Sequence, residues 1–190
     1  MILTPNNEYC VVLDACVLVP MPLCDTLLRA ADEPSFFRIA CSDHILEEIR
    51  RTLAGHKFSY SPAQAERRIA STRSAFPEAV HRIPPGLIDG ISGLPDPDDR
   101  HVLALAIHAH ANTNVSNNLR DFPAEALALH HVTVLSADEF LMRQYHLDPQ
   151  LILEKLDRHA AGIRKQRSEV LALLQKLAHG FCDLCARRES

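Results

Sequence analysis

Carboxylate side chains recur where predicted strands end and where predicted helices begin in this chain of 190 residues. Asp14 ends a short apolar strand, and Asp121 follows a second strand predicted over 114–116, with Asn118 between them. The acids near predicted helix starts are Glu47, Glu48, Asp96, Asp98 and Asp99. In an open parallel sheet, all of these positions fall on the edge formed by the carboxyl ends of the strands. Carboxylates gathered there repel each other unless a cation lies between them, and an all-oxygen set suits Mg²⁺ or Mn²⁺ better than zinc.

Each acid also has a purely structural explanation. Asp96 before Pro97 is a good N-cap, and Asp99 resembles the acidic arm of a capping box. Acids at a helix start interact favourably with the helix macrodipole, and Asp121 fits a turn. Asp14 is the hardest to explain in this way, because a carboxylate at the end of a buried strand needs a partner. The metal-site hypothesis therefore depends on the acids as a group.

Short apolar stretches alternate with helical ones, and this alternation predicts the elements that position the acids. The predicted strands cover 9–14, 36–41, 79–83, 114–116 and 131–135. The predicted helices begin near Pro20, Ser42, Ser61, Asp96 and Ala124, and the one that Asp96 opens runs to about Ala111. Helix continues from Ser136 to the end with a break at Asp148. Such alternation implies an α/β fold, with a parallel sheet covered by helices on both faces. The last forty or so residues would form an appended helical element.

Composition and charge limit the classes of protein to which this chain can belong. Hydrophobic residues make up 47% and charged residues 23%, which is typical of a folded globular chain, and the net charge is −4. Acidic stretches (1–47 and 83–148) alternate with basic ones (48–82 and 149–190). This pattern suits an acidic pocket rimmed by positive surface, although ordinary solvated helix faces also produce it. No GxG or GxxxxGK[ST] motif supports nucleotide binding.

Targeting signals and cysteine usage indicate the compartment. No apolar run is long enough to cross a bilayer, and the first residues lack the pattern of a secretory signal. Six cysteines, four of them within the first 41 residues, do not resemble a secreted disulfide framework. We therefore expect a cytoplasmic protein without membrane association. The segment from His179 through Cys182 to Cys185 has half of a zinc-like spacing, and without a second CxxC we do not expect structural zinc.

Four segments resemble the acidic motifs of PIN domains. They are VVLDACVL from Val11, SDHILEEI from Ser42, LPDPDDRHVLALA from Leu94 and VSNNLRDFP from Val115. Their order and spacing are similar to those of the VapC-like ribonucleases, in the branch with a longer helical C terminus. The resemblance implies a Rossmann-like three-layer α/β/α sandwich, with a PIN-like nuclease domain over 9–145 and a C-terminal helical extension over 146–190.

The same resemblance implies which residues form the site. The four catalytic and metal-binding acids are Asp14, Glu48, Asp99 and Asp121, and the supporting polar residues are Asp96, Ser116 and Asn118. Glu48 is also nearer than Glu47 to the apolar stripe of its helix. Cys16 stands where the family usually has Asn, so we expect a contact to the first acid to be missing. Ser116 stands where Thr is commoner.

The implied activity is Mg²⁺- or Mn²⁺-dependent cleavage of single-stranded RNA by a metal-activated water. Many family members are toxins of toxin–antitoxin pairs and form homodimers, so we expect a homodimer with an antitoxin protein as a candidate partner. An acidic cleft repels RNA, and phosphate contacts must therefore come from basic residues. The candidates are Arg120 and the stretch from Arg50 to Arg73, with Arg50 and Arg51 foremost.

Two other functions compete with the ribonuclease. One is a PIN-like module that binds RNA or a protein with little or no nuclease activity, and Cys16 is the feature that favours it. The other is a metal-dependent phosphohydrolase for small substrates, which is weaker because no DxD motif follows the first strand.

Overall fold

Five short parallel strands form the centre of the computed structural model, which describes residues 9–35, 37–55, 58 and 60–187. The strands are β1 (Cys10–Leu13), β2 (Arg38–Ser42), β3 (Val80–His81), β4 (Thr113–Val115) and β5 (Thr133–Leu135). They lie in the order β3-β2-β1-β4-β5, and all neighbours are parallel. The central strand β1 is buried at every residue, which explains its continuous apolar sequence.

The direction in which the chain adds strands to the sheet reverses between β1 and β4. From β1 the chain moves outward to β2 and β3, and it then crosses back to β4 and β5 on the other side. Val12 of β1 accordingly pairs with Ala40 on one side and with Asn114 on the other. The carboxyl ends of β1 and β4 therefore form a topological switch point, which is where open α/β sheets bind ligands.

Helices cover the sheet on both faces. Over the described residues they are α1 (Ala15–Leu18), α2 (Met21–Ala31), α3 (Asp43–Ala54), α4 (Pro62–Ala75), α5 (Pro85–Asp89), α6 (Arg100–His108), α7 (Ala124–Ala128), α8 (Ala137–Leu147), α9 (Pro149–Gly162), α10 (Arg167–Leu174) and α11 (His179–Arg187). The apolar helix α6 packs against β1, β2 and β4. Right-handed crossovers place the helices between β1 and β3 on the opposite face. The predicted α/β fold with a parallel sheet and C-terminal helices is confirmed.

Side-chain caps fix the starts of the helices that the sequence predicts most sharply. The hydroxyl of Ser42 accepts a hydrogen bond from the backbone N–H of Ile45 at 3.3 Å and so begins α3. Ser61 and Ser136 begin α4 and α8 with complete capping boxes. The side chain of Asp148 accepts from the N–H of Leu151 at 3.0 Å and so caps α9, at the predicted break. These starts are confirmed because each is encoded by a few neighbouring residues.

Left-handed residues make two predicted boundaries wrong. The helix predicted to continue to 111 ends at His108, because His110 has φ 53° and the N–H of Ala111 bonds back to the carbonyl of Ala106 at 2.8 Å. His131, with φ 55°, ends α7 in the same manner, so the strand predicted from 131 begins at Thr133. Both histidines therefore have a structural role as helix ends.

Beyond Asp148, the region predicted as continuous helix is broken again between α9 and α10, where Arg164 has φ 56°, and between α10 and α11. The remaining differences are small. The second strand is shifted to Arg38–Ser42, and Phe36, which belonged to its predicted start, lies outside the described residues. The fourth strand begins and ends one residue earlier than predicted, and the strand at 79–83 is reduced to Val80–His81. The short helices α1 and α5 were not predicted. Each is only one turn or so long, too short for a helical periodicity to emerge from its sequence.

The C-terminal helices share the core of the sheet. Helices α9 and α10 pack on α2, and α11 packs on α8. Their apolar residues Ile152, Leu156, Val170 and Phe181 belong to the same buried cluster as β1. The predicted division at residue 145 falls within α8 and remains a proposal. Within the part of the chain that the structure describes, no helix is both long enough and apolar enough to span a bilayer.

Buried polar contacts join α9 to α2. His159 is 2% exposed, and its Nδ1 lies 3.0 Å from the hydroxyl of Thr26 while its Nε2 lies 3.0 Å from Oδ2 of Asp25. Burial lowers the pKa of His159, against the opposing charge of Asp25. Lys155 is also buried and donates to the carbonyl of Asp32 at 2.5 Å. The extension is thus held by specific polar contacts as well as by apolar packing.

Candidate active site

Asp14 lies at the switch point of the sheet, directly after β1. Its backbone N–H donates to the carbonyl of Val115 in β4 at 3.1 Å, and its side chain is almost fully buried. Oδ2 of Asp14 accepts hydrogen bonds from the hydroxyl of Ser116 at 2.6 Å and from the thiol of Cys16 at 3.2 Å. Burial raises the pKa of Asp14, and these two hydrogen bonds oppose the shift. The carboxylate is therefore fixed in orientation by donors from both central strand ends.

Cys16 retains the contact that we expected to be lost at this position. Burial, together with the charge of Asp14, raises the pKa of the Cys16 thiol to about 12, so the thiol stays protonated and donates to Asp14. The sulfur also accepts a hydrogen bond from the backbone N–H of Asn117 at 3.2 Å. The expectation of a missing contact is wrong, because a thiol can donate and accept at one atom, as the bridge between Asp14 and Asn117 requires.

The two acids at the start of α6 have different surroundings. Oδ1 of Asp96 accepts from the N–H of Asp98 at 2.9 Å and caps the 3-10 turn Pro97–Asp99. The side chain of Asp99 makes no such cap on α6. Burial raises the pKa of Asp99 to about 7, and nearby negative charge adds to the shift. That charge comes, in decreasing order, from Asp14, Asp121, Asp96 and Glu48.

This electrostatic coupling shows that the structure brings the predicted acids together. Asp99, Glu48, Asp121 and Asn118 line one cleft of about 650 Å³, while Asp14 is buried behind it at the sheet edge. Glu47, by contrast, lies outside the cleft and is paired with Arg50. The choice of Glu48 over Glu47 thus agrees with where the structure places the two side chains.

The basic candidates differ in their distance from this cleft. Arg50 makes a bidentate pair with Glu47, with N–O distances of 2.5 and 2.7 Å, and lines a different cleft. Arg51 lines the acidic cleft, is 69% exposed and lies 3.9 Å from Glu47. Arg120 is exposed in the 3-10 turn Leu119–Asp121, away from the cleft lining. Of the three, Arg51 is the one that the structure places at the cleft.

Two histidines complete the cleft and were not predicted as site residues. The rings of His44 and His101 stack with centroids 5.5 Å apart and an angle of 20° between their planes. Nε2 of His101 lies 3.6 Å from Oε2 of Glu48, and both rings line the cleft. One signal could have identified His44: it lies four residues before Glu48 and seven before Arg51, on one face of α3.

The oxygen donors of the cleft are of the type that a divalent cation requires. Within the described residues, no group of three or more His, Cys, Asp or Glu side chains is arranged to hold a metal ion. However, Mg²⁺ usually keeps several waters and needs only one or two carboxylates directly. Burial, and after it the charge of the neighbouring acids, disfavours the ionised form of Asp99, and a bound cation would offset both effects. The chemistry of the site therefore fits a hydrated hard cation held by Asp14, Asp99 and their acidic neighbours.

The zinc-like spacing near the C terminus does not form a comparable site. Cys182 is buried and its thiol faces the carbonyl of Leu171 at 3.4 Å, and Cys185 is also buried. His179 is exposed and lies 3.5 Å from Asp138. The two cysteines instead belong to the apolar face of α11.

Comparison with known proteins gives two matches. A protein-family model described as "PIN domain" matches residues 10–120, a span that includes Asp14, Glu48 and Asp99 and ends one residue before Asp121. A protein of Mycobacterium tuberculosis named "Putative ribonuclease VapC50" is 43% identical over 49 residues. That match covers 26% of this chain and 29% of the relative, so less than a third of the relative is spanned. No solved structure matches the chain significantly.

Proposed function

Because the chain belongs to the PIN domain family, we propose that it is a metal-dependent endoribonuclease that cleaves single-stranded RNA. The observation that carries this proposal is the convergence of four acids at the β1–β4 switch point, where burial, and after it the charge of the neighbouring acids, raises the pKa of Asp99 to about 7. A purely structural set of caps would not concentrate uncompensated charge in one cleft. A bound divalent cation gives that charge a function.

Asp14 and Asp99 would hold Mg²⁺ or Mn²⁺, with Glu48 and Asp121 binding directly or through water. When bound, the cation supplies Lewis acidity that polarises the scissile phosphate and lowers the pKa of an attacking water. The chain's own contribution is orientation: Ser116 and Cys16 donate to one oxygen of Asp14 and so fix the carboxylate plane. Asn118 holds its turn by donating its backbone N–H to the Ser116 hydroxyl at 3.1 Å.

The wider biological role follows the named relative. We propose that the protein is the toxin of a toxin–antitoxin pair, acts in the cytoplasm, forms a homodimer and is held inactive by an antitoxin protein. The name of the Mycobacterium tuberculosis relative supports the ribonuclease activity. A gene for a small DNA-binding protein directly upstream would support the pairing.

A cleavage assay on single-stranded RNA tests the activity. The wild-type protein should cleave a labelled oligoribonucleotide with Mg²⁺ or Mn²⁺ and stop with EDTA. Asp14→Asn should abolish cleavage without unfolding the chain, while Asp89→Asn, an exposed acid at the end of α5, should leave it unchanged. Unaltered cleavage by Asp14→Asn would remove the proposal.

The binding-module alternative loses its supporting feature in the structure. It depended on a contact missing at Cys16, and Cys16 keeps that contact to Asp14. The same assay separates the two functions, since RNA binding without cation-dependent cleavage would favour the module.

A further inference from the structure

The lining of the cleft contains a pair of stacked aromatic rings beside Glu48. His101 is largely buried, with 15% of its side chain exposed, and its Nδ1 has no hydrogen-bond partner among the described residues. His44 stacks on this ring at 5.5 Å and is itself exposed to the cleft. The buried ring therefore supports the exposed one and leaves the outer face of His44 as an open aromatic surface.

The position of this surface relates it to the acids and to a cation. His44, Glu48 and Arg51 follow one face of α3 at intervals of four and three residues. At 1.5 Å per residue, His44 and Arg51 are roughly 10 Å apart along the helix axis, with Glu48 between them. A single RNA strand that runs along this face would place, in succession, a base beside His44, a backbone phosphate near the acids and a second phosphate near Arg51.

We propose that His44 is a stacking platform for a base of the RNA strand, with His101 as its support and Arg51 as the phosphate contact farther along α3. This proposal rests on the ribonuclease function and specifies how the site holds its substrate. Aromatic rings in nucleic-acid-binding proteins accept unpaired bases by stacking, which is independent of sequence because every base has a π face. A paired base has both faces covered by its neighbours, so the platform also explains a preference for single strands.

The arrangement also explains how an acidic cleft binds RNA, a polyanion, in spite of the charge repulsion between them. The acids alone would exclude RNA, and Arg50 is already neutralised by its bidentate pair with Glu47. The guanidinium of Arg51 lies farther from the same carboxylate, at 3.9 Å, and its side chain lines the cleft. Stacking at His44 adds affinity that involves no charge, so the strand is attached on both sides of the acids.

Binding without cleavage tests the platform directly. The affinity for a labelled single-stranded oligoribonucleotide is measured by fluorescence anisotropy, both in the Asp14→Asn protein and in the wild-type protein with EDTA. His44→Ala should weaken binding about tenfold, and His44→Phe, which keeps the ring face, should restore it. His130→Ala, an exposed histidine before β5 at the opposite edge of the sheet, is the matched control and should have no effect.

A base-deletion scan locates the contact. Oligonucleotides that carry one abasic position at a time should reveal a position where base removal weakens wild-type binding but does not further weaken His44→Ala. In parallel, Arg51→Gln should reduce the slope of log affinity against log salt by about 0.7, and Arg50→Gln should not.

The outcomes separate this inference from the proposed function. Cation-dependent cleavage that His44→Ala leaves unchanged, with unchanged affinity, overturns the platform and leaves the ribonuclease intact. Equal loss in His44→Ala and His44→Phe overturns stacking as the mode of contact. A His44-dependent affinity in a protein that never cleaves RNA supports the platform and overturns the ribonuclease. A Mg²⁺-induced rise in melting temperature that is equal in wild type and His44→Ala shows that the variant has not disturbed the acids.

Discussion

Cys16 shows how one side chain can preserve a site when its residue type changes. Its thiol donates to Asp14 and accepts from the N–H of Asn117, so it joins the loops that follow β1 and β4. An asparagine would make the same two contacts with two different atoms, whereas sulfur makes both with one. The position therefore requires a group that can donate and accept, and it does not require an amide.

Removing this group should weaken the site more than the fold. Cys16→Ala removes one of the two donors to Oδ2 of Asp14 and the acceptor of the Asn117 N–H, so we expect activity to fall roughly tenfold or more, as for other residues that orient metal ligands. Cys16→Ser retains a donor and an acceptor and should keep most of the activity. Cleavage rates at saturating Mg²⁺, with a thermal melt of each variant, check this. Equal activity in the alanine and serine variants would contradict it.

Substitutions of the two acids before α6 should have different effects, one on stability and the other on activity. Asp96 caps a 3-10 turn, so Asp96→Ala should cost about 1 kcal/mol of unfolding free energy and keep most of the activity. Asp99 makes no cap on α6 and carries the repulsion of its neighbours, so Asp99→Asn should abolish activity with little loss of stability. Urea unfolding and the RNA assay measure the two effects. The reverse pattern would show that the two roles have been exchanged.

At the scale of elements, α11 depends on a carboxylate supplied by another helix. Asp138 in the first turn of α8 accepts from the N–H groups of Gly180 and Phe181 at 3.1 and 2.8 Å. The backbone approaches α8 closely there: an added Cβ on Gly180 would lie 2.8 Å from the sulfur of Met142, so that flexible side chain would have to move. The end of the chain is therefore fixed to α8 by a cap that its own sequence does not contain.

Removal of this cap should loosen the C-terminal helix selectively. Asp138→Ala leaves two N–H groups of α11 without acceptors and should cost about 1 kcal/mol. Hydrogen exchange should show faster exchange in α11 than in β1, with RNA cleavage retained. Asp183→Ala, an exposed acid on α11 itself, is the control. Unchanged exchange in α11 would contradict the capping role.

The elements that the sequence predicts are those whose signals are local. Ser61 and Ser136 encode the starts of their helices within four residues, and β1 is apparent from its apolar run. The helix end before His110 and the start of β5 after His131 were missed because both histidines adopt a conformation that glycine usually provides. Likewise, the contact between Cys16 and Ser116 joins residues 100 positions apart, which no local pattern reports. The order of the acidic motifs in the sequence identified the four acids. The stack of the two histidines could not be predicted in this way, because it depends on how α3 packs against α6.

At the scale of the whole molecule, the acid cluster should make stability depend on pH in an unusual direction. The folded-state pKa of Asp99 is raised from 3.8 to about 7. Between these values the native state keeps a proton that the unfolded chain has lost, so stability is greatest at the acidic end and falls as pH rises. Melting temperatures of the cation-free protein from about pH 5 to about pH 8 should therefore decrease, and Asp99→Asn should reduce the slope.

A divalent cation should reverse this trend, because it binds the deprotonated acids of the native state alone. Millimolar Mg²⁺ should raise the melting temperature more at about pH 8 than at about pH 5. Asp14→Asn should melt no lower than the cation-free wild type and should gain less from Mg²⁺. An equal gain in Asp14→Asn and wild type would mean that the cation binds elsewhere.

The packing of α9 on α2 has a consequence for the order in which the protein folds during synthesis. Thr26 and His159 touch although 133 residues separate them in the chain, so α2 lacks this partner until α9 has been synthesised. On the ribosome, a chain that already carries Asp14, Glu48, Asp99 and Asp121 still has one helical layer unfinished. The four acids are therefore synthesised before the helix that completes the packing of α2, and the fold around them is finished only when α9 docks.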